Sequence, residues 1–230
     1  MTVDEIAKMI DHSLLKPELT REDVKKGCEL AMKYNVMSVC VRPCDVDFAN
    51  GLLKNLTVKV TTVIGFPHGA NITPTKVYEA ERAIERGAAE LDMVLNIGKL
   101  LSLDYDYVEK DIKSITSLAH EKDVLVKVVL ENCYLTDDLI KKACLIAETA
   151  NADFVKTSTG FAKGGAEIKD VKLMKDTVSE NIRVKAAGGV RSLDSLIEMK
   201  KAGASRIGAT ATRDILEEAK NRKAAGKLLD

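Results

Sequence analysis

The feature that most constrains the fold of this chain is an eightfold alternation of short apolar segments with amphipathic segments. Each apolar segment is rich in β-branched residues, and the stretch after it repeats its apolar residues at helical spacing. Strands that alternate with helices in this way predict parallel βαβ units. Eight such units in 230 residues predict an α/β protein with a closed (β/α)8 barrel, whose active site lies at the carboxyl ends of the strands.

The predicted strands are Asp11–Leu15, Val36–Val41, Val58–Gly65, Glu90–Asn96, Val124–Glu131, a segment starting at Asp153, a segment starting at Arg183, and Ser205–Gly208. A short helix is predicted before them, over Ile6–Ile10. An open doubly wound sheet is the alternative, but no GxGxxG fingerprint follows the first strand. No linker rich in proline, glycine or serine interrupts the pattern, so we expect one domain over residues 1–230.

Helix boundaries are signalled by capping residues. Thr20, Thr136 and Ser192 each stand directly before an amphipathic stretch, which is the preferred place for an N-cap hydroxyl. Pro74 predicts the first turn of a helix, and Gly87 predicts its end. Both kinds of signal support the assignment of helices between the strands.

The composition argues against several classes of function. Lysine plus arginine equals aspartate plus glutamate, 35 each, and tryptophan is absent, so neither nucleic acid nor a membrane is an expected partner. No apolar run reaches the roughly 18 residues of a transmembrane helix, and no secretory signal is visible. Five cysteines without a CxxC pair indicate free thiols, so we expect a cytoplasmic protein.

Two predicted strands each carry a lysine inside an apolar run. Lys156 and Lys185 occupy such positions, and each is followed by glycines. An ammonium group is expensive to desolvate in a strand that is covered on both faces. A lysine that reaches solvent from a strand end is the ordinary explanation for either residue alone, but the pair favours a functional site.

Strand alternation groups the charged side chains. If Leu91, Val155 and Val184 pack under the helices, then Asp92, Lys156 and Lys185 point into the barrel. By the same argument, Lys127 and Glu131 share one face of their strand. A structural ion-pair network is one explanation for these charges.

A catalytic explanation uses the two lysines together. A lysine amine attacks a carbonyl only when it is neutral, and lowering an amine pKa from about 10.4 to about 7 requires roughly 4.6 kcal/mol. A second ammonium group together with desolvation can supply that bias. Asp92 would then move protons while a carbinolamine forms and loses water.

Glycine-containing loops follow the last three predicted strands. They hold Gly160, Gly188, Gly189 and Gly208, whose backbone N–H groups are suited to a phosphate, although tight turns alone would also require glycine. Lys163 is expected to add positive charge, and Thr159 or Thr210 a hydroxyl group. The chain has no GxxxxGK[ST] motif, so a nucleotide P-loop is not predicted.

No metal site is predicted. The three histidines, His12, His68 and His120, are far apart in the sequence, and no HExxH motif occurs. His68 lies on a loop at the predicted active face, where contact with substrate and a structural role are both possible.

With these residues assembled, the sequence resembles the deoxyribose-phosphate aldolase family of class I aldolases over nearly the whole chain. The matching motifs are Phe154-Val155-Lys156-Thr157-Ser158-Thr159-Gly160, Val184-Lys185-Ala186-Ala187-Gly188-Gly189 and Glu90-Leu91-Asp92-Met93-Val94, with support from Ile10–Pro17 and Val39–Val41. The resemblance implies reversible cleavage of 2-deoxy-D-ribose 5-phosphate to acetaldehyde and D-glyceraldehyde 3-phosphate. It also implies no cofactor, a sugar phosphate and an aldehyde as ligands, and a homo-oligomer, either a dimer or a tetramer.

The resemblance also implies roles for single residues. Lys156 matches the Schiff-base lysine, Lys185 the lysine that perturbs it, and Asp92 the proton-transferring acid. Gly160, Gly188 and Gly189 match phosphate-loop positions. One departure is that Thr210-Ala211 stands where relatives often have two serines, so only Thr210 can donate a hydroxyl group there.

Two other classes of function remain open from the residues alone. A metal-dependent aldolase would lose its activity in the presence of a chelator. A non-enzymatic barrel would bind sugar phosphates without turnover, and would leave the lysine pair unexplained.

Overall fold

A computed structural model describes residues 1–227, and its eight parallel strands form a closed barrel in sequence order. The predicted (β/α)8 fold is therefore confirmed, and the open sheet is excluded. The strands are β1 (Ile10–Leu14), β2 (Ser38–Val41), β3 (Lys59–Ile64), β4 (Glu90–Val94), β5 (Leu125–Val129), β6 (Phe154–Lys156), β7 (Arg183–Ala187) and β8 (Ala204–Ala209).

One short helix precedes β1, and the other helices follow the strands around the outside of the barrel. They are α1 (Val3–Ala7), α2 (Arg21–Tyr34), α3 (Val46–Leu53), α4 (Thr73–Glu85), α5 (Ile97–Leu101), α6 (Tyr105–His120), α7 (Asp137–Thr149), α8 (Ile168–Thr177), α9 (Leu193–Lys201) and α10 (Thr212–Ala224). Two short 3-10 turns, Pro43–Asp45 and Asn132–Tyr134, follow β2 and β5. Over residues 1–227, no helix combines the length and the apolar character that crossing a membrane requires.

The predicted caps form the expected hydrogen bonds. The side chains of Thr20, Thr136 and Ser192 each accept a hydrogen bond from a backbone N–H in the first turn of their helix. The position predicted for the N-terminal helix was wrong, because Thr2 and Glu5 form a capping box that starts α1 at Val3. Ile10, the predicted end of that helix, is instead the first residue of β1.

Two strands are shorter than predicted because specific residues end them. Asn96 caps α5 by accepting a hydrogen bond from the Lys99 N–H, so β4 ends at Val94. Glu131 has a φ of 57°, in the left-handed region, so it lies outside β5. The face that Glu131 was expected to share with Lys127 is therefore not set by strand alternation.

Alternation along the strands separates an apolar outer layer from a charged interior. Leu91, Val155 and Val184 are fully buried members of the hydrophobic core. Burying each such side chain contributes about 1.5–3 kcal/mol. Their neighbours along the strands point the other way, and the strand register pairs Asp92 with Lys127 and Lys156 with Lys185. The interior of the barrel therefore collects charges from adjacent strands.

Candidate active site

Seven ionisable side chains are buried together inside the barrel. Each is at most 4% exposed, so the group is removed from bulk water. The three carboxylates are Asp11, Glu90 and Asp92, and the four cations are Lys127, Lys156, Lys185 and Arg206. We call these seven residues the interior cluster.

Asp92 is bound by three lysines from three neighbouring strands. Its Oδ2 accepts hydrogen bonds from Lys156 Nζ at 2.8 Å and from Lys185 Nζ at 2.7 Å. Its Oδ1 accepts from Lys127 Nζ at 2.9 Å. Strand alternation predicts that Asp92, Lys156 and Lys185 point into the barrel, and the structure brings them into direct contact.

The remaining members extend the cluster through Lys127 and Lys185. Asp11 Oδ2 lies 2.5 Å from Lys185 Nζ, and Glu90 Oε2 lies 2.5 Å from Lys127 Nζ. Arg206 joins both carboxylates, since its guanidinium donates to Asp11 Oδ1 at 2.7 Å and to Glu90 Oε2 at 2.9 Å. All seven groups therefore form one connected network.

The network keeps its carboxylates ionised in spite of burial. Burial opposes the charged form of Asp92, but the ammonium groups of Lys127, Lys156 and Lys185 outweigh it and hold the Asp92 pKa well below its usual range. Burial likewise opposes the charged form of Asp11, but Lys185, Lys127 and Arg206 lower its pKa.

The same contacts hold two of the lysines in the charged form. Burial favours neutral Lys185, but Asp11 and Asp92 raise its pKa above the ordinary value. Burial also favours the neutral form of Lys127, but Asp92 and Glu90 outweigh this effect and raise the pKa of Lys127. Asp11 and Asp92 therefore favour the charged form of Lys185, which binds the same Asp92 oxygen as Lys156.

A cavity of about 390 Å³ opens at the carboxyl ends of β6, β7, β8 and β1. Lys156 is the member of the interior cluster that lines it. The predicted site residues that also line it are Thr159, Gly160, Gly188, Gly189, Gly208 and Thr210. Lys156 and the glycine loops, which are separated along the sequence, thus line the same cavity.

The glycines of this cavity are required by backbone geometry. Gly160, Gly188 and Gly189 have φ values of 85°, 86° and 85°, which side-chain-bearing residues rarely adopt. A Cβ on Gly208 would lie 2.9 Å from Ala187 Cβ, so the two strands approach closely there.

Lys163 is exposed and does not line the cavity. Two other cations line it instead, Lys16 after β1 and Arg191 after β7. Arg191 stands two residues after Gly189, and its position beside a glycine pair is a signal that Lys163, directly before Gly164, shares. Ala211, where relatives often have serine, is outside the lining, whereas Thr210 belongs to it.

The histidines lie apart from the interior cluster. His12 is buried, and its Nδ1 lies 2.8 Å from Thr212 Oγ on α10. His120 Nε2 lies 3.0 Å from Asp153 Oδ2. In the part of the chain that the structure describes, no three His, Cys, Asp or Glu side chains are arranged to hold a metal ion.

Comparison with known proteins identifies relatives along most of the chain. The model of the DeoC/LacD family of aldolases matches residues 5–218. The deoxyribose-phosphate aldolase of Caldanaerobacter subterraneus subsp. tengcongensis is 55% identical over 214 residues, which cover 93% of each chain. That of Thermococcus kodakarensis is 51% identical over 221 residues, or 95% of this chain and 99% of the relative.

A solved structure gives the same relationship. The deoxyribose phosphate aldolase from Aeropyrum pernix, described as having a unique tetrameric structure, is 33% identical to this chain. It superposes with a TM-score of 0.89 over 95% of this chain and 92% of the relative.

Proposed function

The chain belongs to the DeoC/LacD family of aldolases, and from that premise we propose that it is a class I aldolase acting on 2-deoxy-D-ribose 5-phosphate. It cleaves this sugar phosphate reversibly to acetaldehyde and D-glyceraldehyde 3-phosphate, a step in the degradation of deoxyribose phosphate. The relatives that are 51–55% identical to it carry the name of this activity. The observation that carries the proposal is a buried lysine, Lys156, that opens onto a cavity while sharing a carboxylate oxygen with a second lysine.

The charge balance of the interior cluster supports Lys156 as the nucleophile. Its four cations exceed its three carboxylates by one when every group is ionised. An uncompensated buried charge is strongly unfavourable. Lys127 and Lys185 each contact two carboxylates at distances of 2.5–2.9 Å. Lys156 contacts Asp92 and lines the cavity, so it is the less compensated cation and the one that a substrate carbonyl can reach.

The first stage of the reaction joins Lys156 to the open-chain sugar phosphate. The free amine attacks the C1 aldehyde and forms a carbinolamine, which loses water to give an iminium ion. Asp92, whose Oδ2 lies 2.8 Å from Lys156 Nζ, exchanges the protons of these steps directly or through water. Lys185, which binds the same oxygen, keeps Asp92 oriented and ionised.

The second stage breaks the C2–C3 bond. The C3 hydroxyl loses its proton and becomes the aldehyde of glyceraldehyde 3-phosphate, and the bonding electron pair moves to C2 to give an enamine. Protonation at C2 regenerates an iminium ion, and water hydrolyses it to acetaldehyde and the free amine of Lys156. Every step balances without a cofactor.

The phosphate of the substrate is bound at the opposite side of the cavity. We assign it to the backbone N–H groups around Gly160, Gly188, Gly189 and Gly208, with Thr159 and Thr210 as hydroxyl donors. Arg191 and Lys16 replace Lys163 as the source of positive charge, because they line the cavity. Arginine suits this role, since its planar fork binds phosphate in two places.

Location and assembly belong to the same proposal. We place the enzyme in the cytoplasm, where its free thiols, among them the exposed Cys44 and Cys133, would stay reduced. We expect a homo-oligomer, on the precedent of the tetrameric relative from Aeropyrum pernix. Light scattering of the purified protein tests this, and a monomer at all concentrations contradicts it.

A coupled assay for released aldehyde tests the proposed activity. Wild-type protein is expected to release acetaldehyde from 2-deoxy-D-ribose 5-phosphate with and without a chelator, and Lys156→Ala is expected to release none. Loss of wild-type activity with chelator would indicate a metal-dependent aldolase. Binding of the sugar phosphate without release would indicate a non-enzymatic barrel.

A further inference from the structure

Glu131 has a backbone conformation that glutamate rarely adopts. It follows β5 and has φ 57° and ψ 62°, in the left-handed region. For a residue with a side chain, this conformation is unfavourable and persists only where the surroundings enforce it, often at functional sites. The side chain is also buried, with 1% of its surface exposed.

The Glu131 carboxylate is bound by Thr159, which lies in the loop that follows β6. Both of its oxygens lie 3.2 Å from the Thr159 N–H, and Oε2 also accepts a hydrogen bond from Thr159 Oγ. Thr159 Oγ in turn accepts from the Phe161 N–H at 3.0 Å. Glu131 therefore fixes a turn whose residues Thr159, Gly160 and Phe161 all line the cavity.

The backbone on either side of Glu131 holds the same segment. The Leu130 N–H donates to the Lys156 carbonyl at 2.9 Å, and the Asn132 N–H donates to the Thr157 carbonyl at 3.0 Å. The left-handed turn at Glu131 lets these two N–H groups and the carboxylate reach residues 156–159 together. The ring of Phe161 packs edge-on against Phe66, with centroids 5.2 Å apart, which adds a packing contact to the turn.

We propose that Glu131 is a positioning residue that holds the Thr159–Gly160–Phe161 turn in place to receive the phosphate end of the substrate. This inference rests on the proposed function, because it takes the ligand of the turn to be a sugar phosphate. Glu131 does not line the 390 Å³ cavity and acts through Thr159. Its loss should therefore weaken the binding of phosphorylated substrate and leave the chemistry at Lys156 intact.

Glu131→Gln is the sharpest variant because it keeps the size of the side chain. The amide replaces one of the two oxygens that face the Thr159 N–H with an NH2 donor, and it removes the negative charge that strengthens the hydrogen bonds from Thr159. We expect KM for 2-deoxy-D-ribose 5-phosphate to rise about tenfold, with kcat within about threefold of wild type. Turnover of 2-deoxy-D-ribose, which lacks the phosphate, should change less. Glu131→Ala should give the same pattern with a larger rise in KM.

Asp153→Asn is a matched control on the same two strands. Asp153 also joins β6 to β5 through a carboxylate, since its Oδ2 accepts from the Val126 N–H at 2.8 Å, but at the amino ends of the strands. Its replacement removes the charge from a carboxylate–N–H contact far from the cavity, as Glu131→Gln does at the turn. We expect wild-type KM for this variant, whatever its stability.

A second measurement separates this inference from the proposed function. Borohydride trapping of acetaldehyde on Lys156 should be equal in wild type and Glu131→Gln, because the amine is untouched. If wild type traps nothing, the proposed function fails, and Glu131 is not the cause. If wild type traps normally, the inference is overturned by an unchanged KM in Glu131→Gln, by an equal rise in Asp153→Asn, or by a parallel loss of trapping. Should Glu131→Ala fail to fold, Glu131→Gln alone decides.

Discussion

Lys156 and Lys185 donate hydrogen bonds to the same atom, Oδ2 of Asp92, from 2.8 and 2.7 Å. The two lysines are direct register partners on β6 and β7, so the fold itself brings their amines together. One carboxylate oxygen between two ammonium groups balances only one of the charges. Lys185 is held by Asp11 as well, so Lys156 is the less tightly paired of the two lysines.

Replacing Lys185 tests its effect on the nucleophile. Lys185→Leu removes a fixed positive charge beside Lys156, so the ammonium form of Lys156 becomes easier to keep. Because only the free amine attacks the aldehyde, the acidic limb of the kcat/KM profile should move to higher pH by at least about one unit. The rate at neutral pH should fall with the fold preserved. Lys172→Leu, a surface lysine paired with Asp176 on α8, serves as the control. An unchanged pH profile in Lys185→Leu would contradict the role given to Lys185.

Removing charges of opposite sign deeper in the barrel should shift the pH profile of kcat/KM in opposite directions. Glu90→Gln makes the interior cluster more positive and favours the free amine, so the acidic limb should move to lower pH. Arg206→Met removes a cation, and the limb should move to higher pH. Neither residue lines the cavity. The double variant removes one charge of each sign, so its acidic limb should return towards the wild-type pH. Shifts in the same direction in the two single variants would refute the role given to the charge balance.

Asp92 should matter for both catalysis and stability. Asp92→Asn leaves three buried lysines without their shared carboxylate, a situation that typically costs about 3–5 kcal/mol of folding stability. It also removes the group that exchanges protons with Lys156, so kcat should fall by about 100-fold or more. Urea unfolding and the aldehyde assay check the two effects separately. A variant with wild-type stability and rate would show that the contacts of Asp92 are incidental.

We predict that burial of His12 makes the folding stability depend on pH, independently of the pH dependence of activity. Burial lowers the pKa of His12 from 6.5 to about 4, so the unfolded chain binds the proton more readily than the folded chain between these values. The free energy of unfolding should therefore be highest above about pH 6.5 and fall by about 3 kcal/mol as the pH drops towards 4. His12→Asn keeps an acceptor for Thr212 and should lose this part of the slope. An identical slope in both proteins would assign it to other groups.

The sequence predicted the fold, and the inward direction of Asp92, Lys156 and Lys185, because both follow from periodicity. Alternation along β4, β6 and β7 is enough to direct Asp92, Lys156 and Lys185 inward once the barrel closes. It does not say how deep a side chain lies or which opposite strand it reaches. The partners Asp11 and Arg206 were therefore missed, since they come from opposite ends of the chain and meet only through closure between β1 and β8. Glu90 was also missed, although it stands two residues before Asp92 and so shares its face of β4.

Loops were harder to predict than strands, for a physical reason. Lys163 and Arg191 are both cations near glycines, and the sequence offered no means to choose between them. The structure places Arg191 on the cavity and Lys163 outside it, because the loop after β6 turns at Gly160 and is held there by Glu131. Glu131 itself was assigned to a strand. A left-handed backbone conformation can be anticipated from the sequence at glycine or asparagine, but not at glutamate.

We predict that Arg191 binds the phosphate group of the substrate. Arg191→Ala removes a cavity cation without touching the interior cluster, so KM for 2-deoxy-D-ribose 5-phosphate should rise about tenfold or more. KM for unphosphorylated 2-deoxy-D-ribose should stay close to the wild-type value. Steady-state kinetics with the two sugars check this, with Lys163→Ala as the control, because Lys163 lies outside the cavity. A larger effect for Lys163→Ala would restore the assignment made from the sequence.

Trapping of the covalent intermediate tests the central claim most directly. The protein is incubated with acetaldehyde, reduced with borohydride, digested and analysed by mass spectrometry. We predict an ethyl group on the Nζ of Lys156 and no such adduct in Lys156→Ala. We also predict no adduct on Lys185 or Lys127, because their carboxylates favour the ammonium form. An adduct on one of those lysines, or unmodified wild-type protein that still releases acetaldehyde from the sugar phosphate, would contradict it.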